Sequence, residues 1–170
     1  MIGCRDTDSV ASPTPRPRLL LGVAAALALL ALLPVGALAT DKISAAEAHA
    51  KASSGAITLI DVRTPDEWKQ TGVPASAYTI TMHQPGPQFL AQLDAVLGGD
   101  RTKPVAVICH TGSRTGALVG PMRQVGFANV IDVSEGMAGG RNGTGWAKSG
   151  LPIRRWAPGQ DKPQLPSKLD

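Results

Sequence analysis

The sequence has no apolar run as long as the roughly 20 residues that a membrane-spanning helix needs. Its main apolar segment, Leu19–Leu33, is shorter, follows three arginines and is broken by Pro34. Ala37 and Ala39 then form the A-x-A ending at which signal peptides are cleaved. We therefore expect residues 1–39 to be a signal peptide cleaved after Ala39, and the mature protein to be periplasmic or secreted. The alternative is an uncleaved N-terminal anchor, and only in that case do we expect contact with a membrane.

Cysteine is also scarce. The chain has two cysteines, and Cys4 would be lost with the signal peptide, which leaves Cys109 as the only thiol of the mature chain. An intramolecular disulfide is thereby excluded. An unpaired thiol in an exported protein is either a buried, inert side chain or a reactive group, and the residues around Cys109 must decide between the two.

The sequence lacks a concentrated basic face as well. Basic residues are scattered, and aromatic residues make up only 4% of the chain. Because nucleic-acid binding needs a basic patch on one face, we expect no nucleic-acid partner. The mildly basic surface favours the attraction of small anions. We also expect no metal and no cofactor.

Strands and helices alternate along the mature chain. Apolar, β-rich runs predict four buried strands, at 57–60, 77–80, 105–108 and 129–133. Helix-start patterns and apolar spacing predict the intervening helices, at 45–52, 65–70, 87–97 and 116–125. Pro121 lies inside the last of these helices, where a proline kinks or splits a helix. The alternation predicts an α/β fold with a mostly parallel sheet covered by helices on both faces.

Two shorter segments complete this interpretation. Gly72–Ala75 is predicted to be a turn. The segment 147–166, rich in proline and basic residues, is predicted to be irregular and to pack through Leu151, Ile153 and Trp156.

Cys109 stands where a buried strand ends and a helix is about to begin. Open α/β sheets bind ligands at this carboxyl edge. A helix N-terminus offers unpaired N–H groups and partial positive charge, which favour an anion and stabilise a thiolate. By position alone, Cys109 is either a reactive thiol or a buried, inert one, and the loop that follows it decides between the two.

The loop after Cys109 has the composition of an anion cradle. Gly112 allows a tight turn with positive φ, and successive backbone N–H groups of such a loop converge on one point. Arg114, in a C-x4-R pattern, provides a guanidinium suited to an oxyanion such as thiosulfate. His110 provides a donor or a pH-dependent charge. Three hydroxyl donors belong to the same loop: Thr111, Ser113 and Thr115. The alternatives are a surface arginine for Arg114 and an incidental loop residue for His110.

Asp61 and Arg63 follow another predicted strand and reach the same edge of the sheet. We favour an orienting ion pair or hydrogen-bond network over direct catalysis for both, since charged pairs near a site usually orient rather than react. Glu67 is explained by helix capping and Trp68 by packing, and neither is assigned to the site.

These segments resemble the rhodanese (sulfurtransferase) family, from about Ser44 to Pro152. The resemblance rests on several motifs in order: Leu59–Trp68, Gly72–Ala77, Val107–Thr115, Gly126–Val130, Glu135–Met137 and Gly150–Pro152. It departs from the family in the second motif, where Val73 follows Gly72 directly without the histidine that usually precedes the Ile-Pro pair, and in the long glycine-rich segment Gly139–Trp146.

The resemblance implies a five-stranded parallel sheet flanked by helices, with residues 40–155 as the rhodanese-like domain and 156–170 as a Pro-rich tail. It also implies that Cys109 takes sulfur from a small anionic donor such as thiosulfate as a persulfide. The sulfur then passes to a thiol, cyanide or a protein acceptor. The residues 110–115 bind the anion, and Asp61 and Arg63 support the site.

Other activities remain open at this point. Related phosphatase loops follow C-x5-R, but the corresponding position here is Thr115, so phosphatase activity is the weaker interpretation. Arsenate reduction is a minor alternative. A non-turnover persulfide carrier or a binding module is the main rival to an enzyme.

Overall fold

A computed structural model describes residues 42–163 of the chain. The predicted signal peptide and the last residues of the predicted tail lie outside this range. Among the described residues, no helix combines the length and the apolar character needed to cross a membrane.

Strands and helices alternate along the described range, as predicted. The seven strands are β1 (Lys42–Ile43), β2 (Thr58–Asp61), β3 (Val73–Pro74), β4 (Ala77–Thr79), β5 (Val105–Ile108), β6 (Val130–Val133) and β7 (Ile153–Arg154). The four helices are α1 (Ala45–Ser53), α2 (Pro65–Thr71), α3 (Gly86–Leu97) and α4 (Ser113–Gln124).

Five strands form one sheet in the order β1-β6-β5-β2-β4, and every pair in it is parallel. This confirms the predicted α/β class with its five-stranded parallel sheet. β1 completes the sheet with only two residues, Lys42 and Ile43, beside Asp132 and Val133 of β6.

Alternate residues of β5 face opposite sides of the sheet, as the period of a strand requires. Val105, Val107 and Cys109 belong to a core cluster with residues of α3 and α4. Ala106 and Ile108 belong to a second cluster with residues of α1. Helices therefore cover both faces, and Cys109 lies on the face of α3 and α4.

Pro121 does not split α4, which runs without interruption from Ser113 to Gln124. The proline lies in the last turn, where its own carbonyl accepts a hydrogen bond from the Val125 N–H at 3.3 Å. Val119 and Met122 on either side of it are buried in the core. Packing of these neighbours thus holds the last turn in place despite the proline.

The turn predicted at 72–75 is in part a strand. Val73–Pro74 forms β3 and pairs antiparallel with β7. Pairing of this kind depends on a distant segment and has no local signal. The prediction that Ile153 packs inward is wrong, since it is 41% exposed on β7. Leu151 packs against the core, and the Trp156 ring lies 5.1 Å from that of Trp68 between centroids.

Candidate active site

The Cys109 thiol lies directly after β5 and beneath the first turn of α4, and it is 1% exposed. The Gly112 N–H donates a hydrogen bond to Cys109 Sγ at 3.2 Å. The Thr115 hydroxyl lies 3.6 Å from the same sulfur. The Cys109 sulfur thus lies against one backbone N–H donor and one hydroxyl group.

Gly112 is required at its position for two reasons. Its φ of +86° lies in the left-handed region that side chains rarely adopt. A Cβ there would also lie 1.9 Å from the Ser134 carbonyl oxygen. The turn that brings the Gly112 N–H to the sulfur therefore depends on glycine.

The unpaired amide groups of α4 lie at its N-terminal end, which is also where the Cys109 sulfur lies. The first hydrogen bond of the helix runs from the Gly116 N–H to the Gly112 carbonyl at 3.0 Å. Residues 113–115 consequently have N–H groups with no partner inside the helix. Thr111 and Ser113 are exposed beside this turn, with their hydroxyl oxygens 3.5 Å apart.

Arg114 reaches across the mouth of the loop to Glu67 on α2. Arg114 Nη1 donates to Glu67 Oε2 at 2.8 Å, and Nη2 donates to Oε1. The hydrogen bonds from Arg114 lower the pKa of Glu67 from 4.5 to about 2, against an opposing effect of burial and with further help from Thr64. The pKa of Arg114 is raised by the same pair.

Glu67 is thus a site residue that the sequence interpretation missed. The predicted capping role is confirmed, because Glu67 Oε2 accepts the Thr64 N–H at 2.9 Å in a complete capping box. The same carboxylate also binds Arg114, which lies 47 residues further along the chain. Because the capping box already explained Glu67, nothing in the sequence indicated Arg114 as a second partner.

Two histidines stand near this ion pair. His110 Nδ1 lies 4.0 Å from Glu67 Oε1, on a side chain that is 47% exposed. His83, which was not predicted as a site residue, places Nε2 3.4 Å from Arg114 Nη1. The exposed mouth of the loop therefore carries one carboxylate, one guanidinium and two imidazoles.

Comparison with known proteins places this loop in a family. The model of the family described as "Rhodanese-like domain" matches residues 44–142, which is more than half of the chain. The chain belongs to the rhodanese-like domain family. This range includes Cys109, Arg114 and Glu67, together with every strand of the five-stranded sheet except β1.

Individual relatives of this rhodanese-like chain are distant in sequence. An uncharacterised protein of Rickettsia prowazekii is 26% identical over 98 residues, which cover 55% of this chain and 80% of that protein. The crystal structure of Rv0390 from M. tuberculosis is 25% identical, with a TM-score of 0.55, and covers 68% of this chain and 97% of that one. The solution structure of the polysulfide-sulfur transferase homodimer from Wolinella succinogenes is 29% identical, with a TM-score of 0.52, and covers 70% of this chain and 81% of that one.

Asp61 and Arg63 of the rhodanese-like domain form a fully buried ion pair, with Arg63 Nη2 2.6 Å from Asp61 Oδ2. The Trp68 indole also donates to Asp61 Oδ1, at 3.0 Å. Arg63 in turn donates to the Thr71 hydroxyl and to the Gly72 carbonyl, both at 2.7 Å. This network ties the middle and the C-terminal end of α2 to the sheet, and α2 carries Glu67 to Arg114.

Proposed function

We propose that the chain is a sulfurtransferase that carries sulfane sulfur as a persulfide on Cys109. The observation that carries the proposal is the hydrogen bond from the Gly112 N–H to Cys109 Sγ at 3.2 Å. An inert, buried cysteine packs as a small apolar group. A sulfur held against a donor at a helix N-terminus is instead suited to negative charge.

In the proposed reaction, the Cys109 thiolate attacks the outer sulfur of a small anionic donor such as thiosulfate. A sulfur–sulfur bond to Cys109 forms, the sulfur–sulfur bond of the donor breaks, and sulfite leaves with the electron pair. A thiol, cyanide or a protein acceptor then attacks the outer sulfur of the persulfide and releases the Cys109 thiolate. The loop 110–115 and its helix N-terminus bind the anion during both steps.

The family and one relative support this chemistry. The structure from Wolinella succinogenes is described as a polysulfide-sulfur transferase. A polysulfide, like thiosulfate, is an anionic donor with a transferable terminal sulfur. We therefore include polysulfide with thiosulfate as donors to be tested.

The test is sulfur transfer from thiosulfate or polysulfide to cyanide by the wild-type protein and by Cys109→Ser. We expect the variant to retain its circular dichroism spectrum and to lose transfer, because the serine hydroxyl cannot form a persulfide. Mass spectrometry should detect one added sulfur on the wild-type protein only. Full transfer activity in Cys109→Ser would show that the proposal is wrong.

A non-turnover persulfide carrier is the second candidate, and the near-complete burial of Cys109 favours it. Cys109 is 1% exposed, so small thiols reach its sulfur only slowly from solution. Multiple turnovers with small thiol acceptors support the enzyme. Stoichiometric loading that only a protein acceptor can discharge supports the carrier.

We also propose that the protein is exported after cleavage behind Ala39. The support comes only from the sequence of residues 1–39, with its arginines, its apolar run and its A-x-A ending. Intact-mass analysis of protein recovered from the producing cells tests it. A mature chain beginning at Thr40 is the expected result, and a chain that retains residues 1–39 in the membrane fraction supports the anchor instead.

A further inference from the structure

A buried carboxylic acid, Asp132, lies one strand away from Cys109. On β6, Val130 and Val133 belong to the two opposite core clusters, so Asp132 shares the face of Val130. This is also the face of Cys109. Asp132 pairs in register with Val107 of β5, two residues before Cys109, and is only 3% exposed.

Thr115 connects the two groups. Its side chain is fully buried, its Oγ1 lies 3.6 Å from Cys109 Sγ, and its hydrogen-bonding interaction with the Asp132 carboxyl group lowers the pKa of that group against the larger effect of burial. Thr115 Oγ1 also donates a hydrogen bond to the Gly112 carbonyl oxygen at 3.0 Å. A threonine hydroxyl has a single hydrogen. The Asp132 carboxylate, the Cys109 sulfur and the Gly112 carbonyl therefore compete for it.

The surroundings of Asp132 compensate its charge only in part. Oδ1 has no hydrogen-bond partner within residues 42–163. From the neighbouring elements, Asp132 is faced by Lys42 of β1, by Thr115 of α4, and by Val107 and then Cys109 along β5. Burial raises the pKa of Asp132, against the hydrogen bond from Thr115 and the charge of Lys42.

Asp132 and Cys109 also share one helix N-terminus. Asp132 Oδ2 lies 3.8 Å from the point that a Cβ on Gly116 would occupy, beside the first turn of α4. The Cys109 sulfur lies beneath the same turn. Two acids that share one such site oppose each other's ionisation, so their titrations are coupled.

We propose that Asp132 is a positioning residue that sets, through the Thr115 hydroxyl, how readily the sulfur on Cys109 carries a negative charge. When Asp132 is protonated, it donates to Thr115 Oγ1, and only the Gly112 carbonyl then competes with the thiolate or persulfide for the Thr115 hydrogen. When Asp132 loses its proton to solvent, the carboxylate takes the Thr115 hydrogen. The sulfur then loses a donor and gains a neighbouring negative charge. The O–H bond of the Asp132 carboxyl group is the only covalent bond that changes in this exchange.

The proposal rests on Cys109 as the sulfur-bearing residue of the proposed function, but its test does not require sulfur transfer. The measurement is the rate of Cys109 alkylation by iodoacetamide as a function of pH. Asp132→Asn is the informative variant, because its amide is neutral at every pH and can donate to Thr115 Oγ1. We expect its alkylation midpoint to lie about one pH unit below that of the wild type. An unchanged or higher midpoint overturns the proposal.

The matched control is Asp100→Asn, which removes the same charge from an exposed turn before β5. That turn lies at the amino edge of the sheet, more than about 10 Å from Cys109 by the rise of the strand, so screening should leave the midpoint unchanged. Asp132→Asn is next made in a Thr115→Val background. We expect most of the shift to disappear there. A shift of full size would show that Thr115 does not mediate the effect.

A second measurement examines the same coupling from the side of Asp132, and it can be used if Asp132→Asn does not fold. Coupling between two sites is reciprocal, so removal of the thiol must affect Asp132 in the same sense. In protein labelled with ¹³C-aspartate, we expect Cys109→Ala to lower the titration midpoint of the Asp132 carboxyl carbon relative to the wild type. An identical midpoint in the two proteins overturns the coupling. Failure of sulfur transfer in the wild type would overturn only the proposed function.

Discussion

The ion pair between Glu67 and Arg114 connects helix α2 to the Cys109 loop. The variant Glu67→Gln tests how much this ion pair contributes to the free energy of unfolding. Glutamine also serves at the N3 position of a capping box, so the variant retains an acceptor for the Thr64 N–H. What it removes is the negative charge that faces the Arg114 guanidinium. The variant therefore separates the ion pair from the helix cap.

The pKa of Glu67 provides the scale of the effect. A decrease from 4.5 to about 2 corresponds to a ceiling of about 3.4 kcal/mol of stabilisation, at about 1.4 kcal/mol per pH unit. The Arg114 and Glu67 side chains are 28% and 26% exposed, so solvent screens the pair. We therefore expect Glu67→Gln to lower the free energy of unfolding at pH 7 by about 1–2 kcal/mol.

The loss should depend on pH in a defined direction. Because the folded protein lowers the pKa of Glu67, the stabilisation is fully present above the ordinary value of 4.5 and disappears as the pH falls toward about 2. Less than about half of it should remain at pH 3. The stabilities of wild type and variant should accordingly converge between pH 5 and pH 3.

Urea unfolding at pH 7, 5 and 3 measures this difference. Glu47→Gln is the matched control, because Glu47 likewise stands three residues after an N-cap, here Ser44, and its partner is the exposed Lys51 at 3.2 Å. We expect the control to change stability by less than about 0.5 kcal/mol. Equal losses in the two variants, or a loss from Glu67→Gln that is as large at pH 3 as at pH 7, would refute the reasoning.

Two further predictions concern the loop and the tail. Gly112→Ala should slow the alkylation of Cys109 at least tenfold, because its Cβ would overlap the Ser134 carbonyl oxygen; the control Gly120→Ala, where a Cβ meets open space, should leave the rate unchanged. Trp156→Ala should lower the free energy of unfolding by about 1–3 kcal/mol, since the half-buried ring packs on Trp68. Chemical denaturation measures that loss, and an unchanged midpoint would contradict a stabilising role for the tail contact.

The main sheet was largely predictable from the sequence because most of its strands carry their own signal. The runs that form β2, β4, β5 and β6 are apolar and rich in β-branched residues, and each can be recognised alone. β1 is different, since Lys42 and Ile43 are too few to show a period. β3 and β7 exist only because each pairs with the other, 81 residues apart in their register of Val73 with Arg154. Strand pairs of this kind can be predicted only when it is known which distant segment the chain brings back beside the first strand.

The candidate site divides in the same way. Residues 109–115 are consecutive, so a strand, a glycine turn and a helix start could be recognised together. Glu67 and Asp132 come to the loop from other elements, and their contacts depend on how α2 and β6 are placed by the sheet. Both residues also had sufficient local explanations, one as a helix cap and the other as part of a strand.

The two carboxylic acids beside the loop respond to the protein in opposite directions. The pKa of Glu67 is lowered to about 2, so it stays ionised throughout the neutral range and holds Arg114 in one orientation. The pKa of Asp132 is raised by burial, which brings its ionisation closer to neutral pH. Glu67 therefore acts as a constant charge, whereas Asp132 is able to respond to pH. Asp132→Asn should therefore lower the pH at which the reactivity of Cys109 changes, and Glu67→Gln should leave that pH in place.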